Sequence, residues 1–276
     1  MRETTSRLRP AFARALTMVL ALGLLAGPLG ASEDAHPWPR IRGERIRTLL
    51  PRAMERAGVD AWLVVCRENA NDPLALHVGG ENAGGTAVFL FLRQGDAVRS
   101  LAFSPVGEAT ALKEVGPHDE VVVIERGGSA IEAAAERLKA LAPTRIAVNS
   151  SPAAAADGLS FTQRTALEKA LGPDLARRLV SSQELVEEWL SVKLPAEIEI
   201  MREAARLTEK MQRDAYATVV PGQSRDSDVA RFLKESMREL GVEDAWAPDQ
   251  NPNVNSGPDR GHSHATDRVI RPGDFI

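Results

Sequence analysis

Two histidines late in the chain are the residues whose type and setting first invite chemistry. They lie in the run Asn253-Val-Asn-Ser-Gly-Pro-Asp-Arg-Gly-His262-Ser-His264-Ala-Thr-Asp-Arg-Val-Ile-Arg-Pro-Gly-Asp-Phe-Ile276. A Gly257-Pro258-Asp259 turn delivers His262 and His264 into a short polar loop. Imidazole changes charge near neutral pH, and its neutral form can donate a hydrogen bond to an oxygen on which negative charge builds. Pro272-Gly273-Asp274 is a second turn signal, placed directly before the apolar pair Phe275-Ile276, which reads as the first residues of a strand. The run reads as the opening of a catalytic domain. A strand that short gains little pairing or burial, so the same residues carry the expectation that the machinery is incomplete within 276 residues.

The remaining reactive side chains point to packing. Cys66 is the single cysteine, which excludes an intramolecular disulfide, and it follows the apolar run Ala61-Trp-Leu-Val-Val65. A buried thiol at the end of a strand is the expectation, because nothing nearby would lower its pKa as a nucleophile requires. His36, His77 and His118 are far apart in the sequence with no spacing for a shared metal, and each reads as a surface or loop histidine. Gly79-Gly80 and Gly84-Gly85 invite a phosphate-cradle reading, but the spacing is not G-x-G-x-x-G and no acidic residue follows at the right offset. A structural loop is the expectation there.

The elements that must position the histidines come next. Pro195 suits the first turn of a helix, with Glu197 and Glu199 at its positive end. Ile198, Met201, Ala205, Thr208, Met211, Ala215 and Val219 recur at helical spacing, and Val220-Pro221-Gly222 ends the pattern. Ser224 and Asp226 are read as caps of a second helix, striped by Val229, Phe232, Leu233, Met237 and Leu240 and stopped by Gly241. Two such narrow stripes need a sheet to cover, and this part of the chain provides almost none.

Upstream, periodicity predicts a helix over 41–57, strands over 61–65, 86–92 and 97–103, and a Gln94-Gly95-Asp96 hairpin turn that makes the last two antiparallel. A helix over 106–115, a strand over 121–124, a helix over 130–141 capped by Ser129, a strand over 145–148, a helix over 161–171, a short strand at 179–180 and a helix over 183–193 follow. Alternating helices and apolar strands with one hairpin indicate an α/β domain with a mixed sheet.

Composition sets outer bounds. Charged residues make up 26% and apolar residues 43%, typical of a globular chain long enough for two domains. The net charge of -4 divides unevenly: Arg2, Arg7, Arg9 and Arg14 against Glu3 leave +3 in the first 31 residues and -7 in the rest. An acidic body without a basic stripe argues against nucleic acid as a partner. The four arginines precede an apolar run over 15–26, then Gly27-Pro28 and the small residues Gly30, Ala31 and Ser32. That is the layout of a secretory signal peptide over 1–31, and the expected location is periplasmic or secreted. A retained N-terminal anchor is the competing reading. No later run is apolar and long enough for a membrane span.

The order of motifs resembles a known family. Leu194-Pro-Ala-Glu-Ile-Glu-Ile-Met-Arg-Glu-Ala-Ala205, then Val220-Pro-Gly222, the amphipathic helix to Gly241, Ser256-Gly257 and the histidine loop up to Arg268-Val-Ile-Arg-Pro-Gly273-Asp274 resemble the start of the pita-bread metallopeptidases, which include aminopeptidase P, prolidase, methionine aminopeptidase and creatinase. Residues 41–192 look like the N-terminal α/β domain of the creatinase, prolidase and aminopeptidase P branch, and 194–276 like part of the pita-bread α+β catalytic domain. The resemblance implies hydrolysis of peptide bonds, often before proline, by a dinuclear centre of two divalent metal ions in a complete member. It also implies a histidine beside that centre that contacts substrate and the tetrahedral intermediate. Counting back from Thr266-Asp267-Arg268, His262 takes that place and His264 is the runner-up, with a non-catalytic loop histidine as the competing reading. The family's metal ligands begin with the later Asp of G-D-x-x-x-x-D-x-G, whereas Asp274 matches only the turn residue. No metal is therefore expected for this chain, which is read as truncated and inactive as given. Ala265 stands where proline-preferring relatives often have Pro, which leaves the substrate preference open. A peptide- or protein-binding member without catalysis and a creatinase-like amidinohydrolase are the alternatives, and a homodimer is compatible with the family.

Overall fold

In the computed structural model, which describes residues 36–276 except 70, 71, 82, 245, 246, 250 and 262, the apolar runs become one mixed sheet. Helices α1 (Trp38–Thr48) and α2 (Leu50–Arg56) lead into β1 (Ala61–Arg67), the short α3 (Ala75–Val78), and the hairpin β2 (Thr86–Gln94) and β3 (Ala97–Pro105). Then come α4 (Val106–Val115), β4 (Glu120–Ile124), α5 (Ala130–Leu141), β5 (Ile146–Val148), α6 (Phe161–Leu171), α7 (Pro173–Ala176), β6 (Leu179–Ser181) and α8 (Gln183–Ser191). The six strands lie in the order β4-β3-β2-β1-β5-β6. β2 runs antiparallel to both its neighbours, and every other pairing is parallel. The expected signal peptide, 1–31, lies outside the described residues. Among those described, Trp38–Ile276 group as one unit, and no helix is long and apolar enough to cross a membrane.

Both faces of the sheet are covered, which is why its central strands read as unbroken apolar runs. Trp62, Val64 and Cys66 of β1, with Phe89 and Phe91 of β2, pack against Leu50, Met54 and Trp189. The alternate residues Leu63, Val65, Val88 and Leu90 pack on the other side against Ala134 and Leu138 of α5 and Leu167 of α6. Burying a side chain of this size stabilises by roughly 1.5–3 kcal/mol each, an upper bound against a partly compact unfolded chain. A polar knot ties the strand ends beneath this core: Trp62 Nε1 and Ser182 Oγ donate to Asn149 Oδ1 at 3.0 and 2.7 Å, and Asn149 Nδ2 donates to Asp72 Oδ1 at 2.7 Å.

Two expectations are corrected. The single helix over 41–57 is two, parted at Leu49, because Pro51 has no N–H to offer the carbonyl one turn back and its ring crowds that carbonyl. Beyond β6, α8 stops at Ser191, and Val192 is already extended with φ -87° and ψ 131°.

The glycine pairs serve close packing. A Cβ on Gly80 would stand 2.4 Å from Cys66 Sγ and 3.1 Å from Phe89, both fully buried. Gly80→Ala is expected to destabilise by about 1–3 kcal/mol through overpacking. Gly107→Ala, with nothing within 4 Å of the new methyl and a helical backbone, is expected to be neutral or stabilising by a few tenths. Urea midpoints of the two variants check the contrast, and equal midpoints would refute it.

Candidate functional site

The histidine loop is carried by two helices. α9 (Pro195–Ala217) starts at a proline whose missing N–H costs nothing in the first turn, and Glu197 reaches back to accept from Leu194 N at 2.8 Å. α10 (Asp226–Leu240) ends on Gly241 in the left-handed region, φ 66°. Its N-terminus departs from expectation. Asp228 is the residue that caps, accepting from Arg225 N at 2.9 Å, and this bond, with Arg231 alongside, holds its carboxyl below the usual range. Ser224 Oγ instead accepts from Val220 N at 2.9 Å. Asp226 turns away from its own helix.

Its carboxylate faces the stem of the loop. Asp226 is fully buried, accepts from Thr266 N at 3.2 Å on both oxygens and from Arg268 N at 3.0 Å on Oδ1. Its own N–H donates to Arg268 O at 3.0 Å. Flanking bonds extend the seam: Gly222 N to Ile270 O at 2.7 Å, Ile270 N to Ser224 O at 2.9 Å, and an antiparallel bridge between Arg225 and Val269. Between the two clamped amides sits Asp267, whose φ of 62° turns its groups the other way. Ser227 Oγ donates to its carboxylate and Arg225 Nη1 to its carbonyl. Beneath the seam, Ala215, Val229, Val254 and Ile270 form a small apolar plug.

The far side of the loop is held more loosely. Asn255 Nδ2 donates to the carbonyls of Gly261 and Ser263 at 2.9 and 3.1 Å. Gly257 adopts φ 96°, and a Cβ there would meet Arg268 Nη2 at 3.1 Å. Arg268 in turn donates to Asp259 at 2.7 Å and holds that carboxyl below its usual range. Gly257 N donates to Phe275 O at 2.9 Å, while Arg271 N donates to Asp274 Oδ2 at 2.8 Å and Asp274 N to Arg271 O at 3.1 Å within the turn before it. The strand expected at Phe275-Ile276 is not formed, since one bond makes no ladder, and Phe275 stays 82% exposed.

His262 lies outside the described residues. His264 is exposed on the loop, two residues before the clamped Thr266. Among the described residues no group of three or more His, Cys, Asp or Glu is placed to hold a metal ion, so the described side chains do not fit a dinuclear centre. His77 is corrected from a surface or loop residue to a partly buried one in a helix, and His118 lies in a loop as expected but is partly buried. His77, in α3, packs edge-on against Trp38 and Trp189 at 5.2 and 5.8 Å, and His118 Nε2 lies 2.9 Å from Val78 O. Burial pushes both imidazoles down to about 4. Cys66 is buried as expected, and burial, with Asp72 nearby, raises its thiol to about 12.

Residues 199–276 match the family model of the M24 metallopeptidases, a span that contains the clamp and the whole histidine loop. The match lies in this stretch of the chain. No curated protein sequence matches the chain. Among solved structures it is similar to the Xaa-Pro dipeptidase of Bacillus anthracis, with a TM-score of 0.58, 22% identity and coverage of 86% of this chain and 59% of that one. It is also similar to the X-Pro aminopeptidase of Thermotoga maritima, with 0.56, 22%, 81% and 58%, and to the prolidase of Pyrococcus horikoshii, with 0.55, 17%, 84% and 58%, in the same order. The fold is therefore the α/β N-terminal domain of those proteins followed by the first part of their pita-bread domain. The chain spans about 59% of the length of the first of them. The resemblance read from motif order and the family match fall on the same residues. The role of Asp226 was not legible in the sequence, since an acid in a helix's first turn reads as a cap.

Proposed function

We propose that this chain is an exported protein of the Xaa-Pro aminopeptidase and prolidase type, acting in the periplasm or outside the cell, with residues 41–192 as N-terminal domain and 194–276 as part of the catalytic domain. The observation that carries the reading is the M24 match over 199–276, which takes in the loop of His262 and His264. His262 is assigned the substrate-side role, donating a hydrogen bond to the oxygen of the scissile carbonyl as it gains charge, and His264 is its runner-up. The signal-peptide layout of the first 31 residues supports export.

Catalysis in this family draws on a pair of divalent ions that activate water. The described side chains do not fit such a pair. The 276-residue chain by itself is accordingly expected to leave Xaa-Pro peptides intact, with or without added divalent ions. Metal-dependent cleavage by the purified chain would overturn that expectation.

Histidine ring resonances test the site assignment without turnover. An Xaa-Pro dipeptide is expected to shift the rings of His262 and His264, and His262→Ala to abolish the response. Shifts produced by creatine and not by the dipeptide would replace the reading with an amidinohydrolase. Peptide-induced shifts confined to other parts of the chain would favour a binding protein without catalysis.

A further inference from the structure

Resting on the reading of the histidine loop as the substrate side of the site, we infer that Asp226 is its positioning residue: the buried carboxylate sets the angle at which the loop segment of His264 leaves the body of the protein. Three consecutive residues on the helix side fix three consecutive residues on the loop side. Asp226 takes the amides of Thr266 and Arg268, while Arg225 and Ser227 take the carbonyl and carboxylate of Asp267. With 266–268 immobilised, only the backbone of Ala265 stands between His264 and the clamp.

The chemistry requires a carboxylate. Backbone amides approach it from Thr266 and Arg268, and a fully buried acceptor bearing charge holds such donors about twice as strongly as a neutral one. An amide in its place has one oxygen to give, and its NH2 would confront a donor. The residue is free for this task because Asp228 already serves the helix N-terminus. A role confined to holding α10 together would make the two acids equivalent, and the geometry separates them.

The test uses the 276-residue chain without substrate or metal. In Asp226→Asn, amide exchange at Thr266 or Arg268 is expected to accelerate by about tenfold or more, as a charge-assisted bond is lost. The ring resonances of His262 and His264 should move, while the amides of Leu63 and Phe89 in the sheet keep their rates. Asp228→Ala, which removes the cap without touching the loop, should leave Thr266, Arg268 and both histidines as they were. The inference is overturned if folded Asp226→Asn keeps both amides within about twofold of the parent, or if Asp228→Ala reproduces its pattern. Should Asp226→Asn fail to fold, the parent protein decides: Thr266 and Arg268 must exchange as slowly as Val229 of α10, and free-peptide rates there refute the clamp. A failed peptide titration would remove the functional reading and leave these exchange rates unchanged, so the two failures are distinguishable.

Discussion

Glu197→Ala is expected to cost about 3–5 kcal/mol of unfolding free energy, the penalty typical of stripping one partner from a buried ion pair. Arg45 is 2% exposed, and its Nη1 donates to Glu197 Oε2 at 2.7 Å and to Val192 O at 3.0 Å. Nη2 donates to Trp189 O, and the guanidinium lies 5.3 Å from the centre of the Trp189 ring. Carbonyls share the hydrogen bonds, yet Glu197 supplies the formal charge, and it also accepts from Leu194 N at the start of α9. Removing it therefore strands a buried cation and frees the first turn of α9.

Glu197→Gln keeps an acceptor without the charge and should cost about 1–2 kcal/mol. Joint replacement by apolar residues, Arg45→Met with Glu197→Leu, should be less harmful than the sum of the two singles, because no charge is left without a partner. Urea unfolding of the parent, Glu197→Ala, Glu197→Gln, Arg45→Met, Glu197→Leu and the double variant reads all of this. Additive losses, or a Glu197→Ala cost under about 1 kcal/mol, would mean that the pair behaves like a surface salt bridge.

Acidification below pH 6.5 is expected to remove about 2–4 kcal/mol of stability as pH falls toward 4, through His77 and His118 together. Burial depresses both imidazoles to about 4; Arg45 and Arg42 add to it for His77 against Glu197, and Arg42 adds to it for His118 against the Val78 carbonyl and Asp119. In the unfolded chain each ring takes a proton near the ordinary value of 6.5, whereas in the folded one it waits until about 4. Between those values the unfolded state binds more protons, so the stability present above pH 6.5 drains away on descent. Each ring retains some solvent contact, which keeps the loss below what the depression to about 4 would give by itself.

Asp72 works with the opposite sign. Burial raises its carboxyl above 3.8, so its proton is held more tightly in the folded chain and the loss is partly offset at the acid end. His77→Phe with His118→Gln keeps a ring between the tryptophans and a donor for Val78 O, and should flatten the profile between pH 6.5 and 4.5. Urea midpoints across that range provide the measurement. An unchanged slope in the double variant would place the acid sensitivity elsewhere.

How much of this is legible in the sequence depends on how far apart the partners stand. The strands of the sheet were found within two residues of their ends, because residues buried on both faces leave continuous apolar runs and the Gln94-Gly95-Asp96 turn marks its own hairpin. Ser129 and Gly241 were found as helix ends for the same reason, since a cap acts within one turn. The pita-bread resemblance came from motif order, and the M24 match lies over the same residues.

Sequence by itself thus determined the mixed α/β sheet and the two helices of the C-terminal segment, features written in neighbouring residues. Tertiary structure alone decided the rest. Asp226 meets its partners 40 and 42 residues away, Arg45 meets Glu197 across 152, and His118 meets Val78 across 40. Whether a carboxylate caps its own helix or clamps a distant loop, and whether a histidine is wet or nearly dry, depends on which chain segment arrives beside it. Periodicity reports only which face a residue occupies, and the electrostatics of a site belong to whatever that face meets.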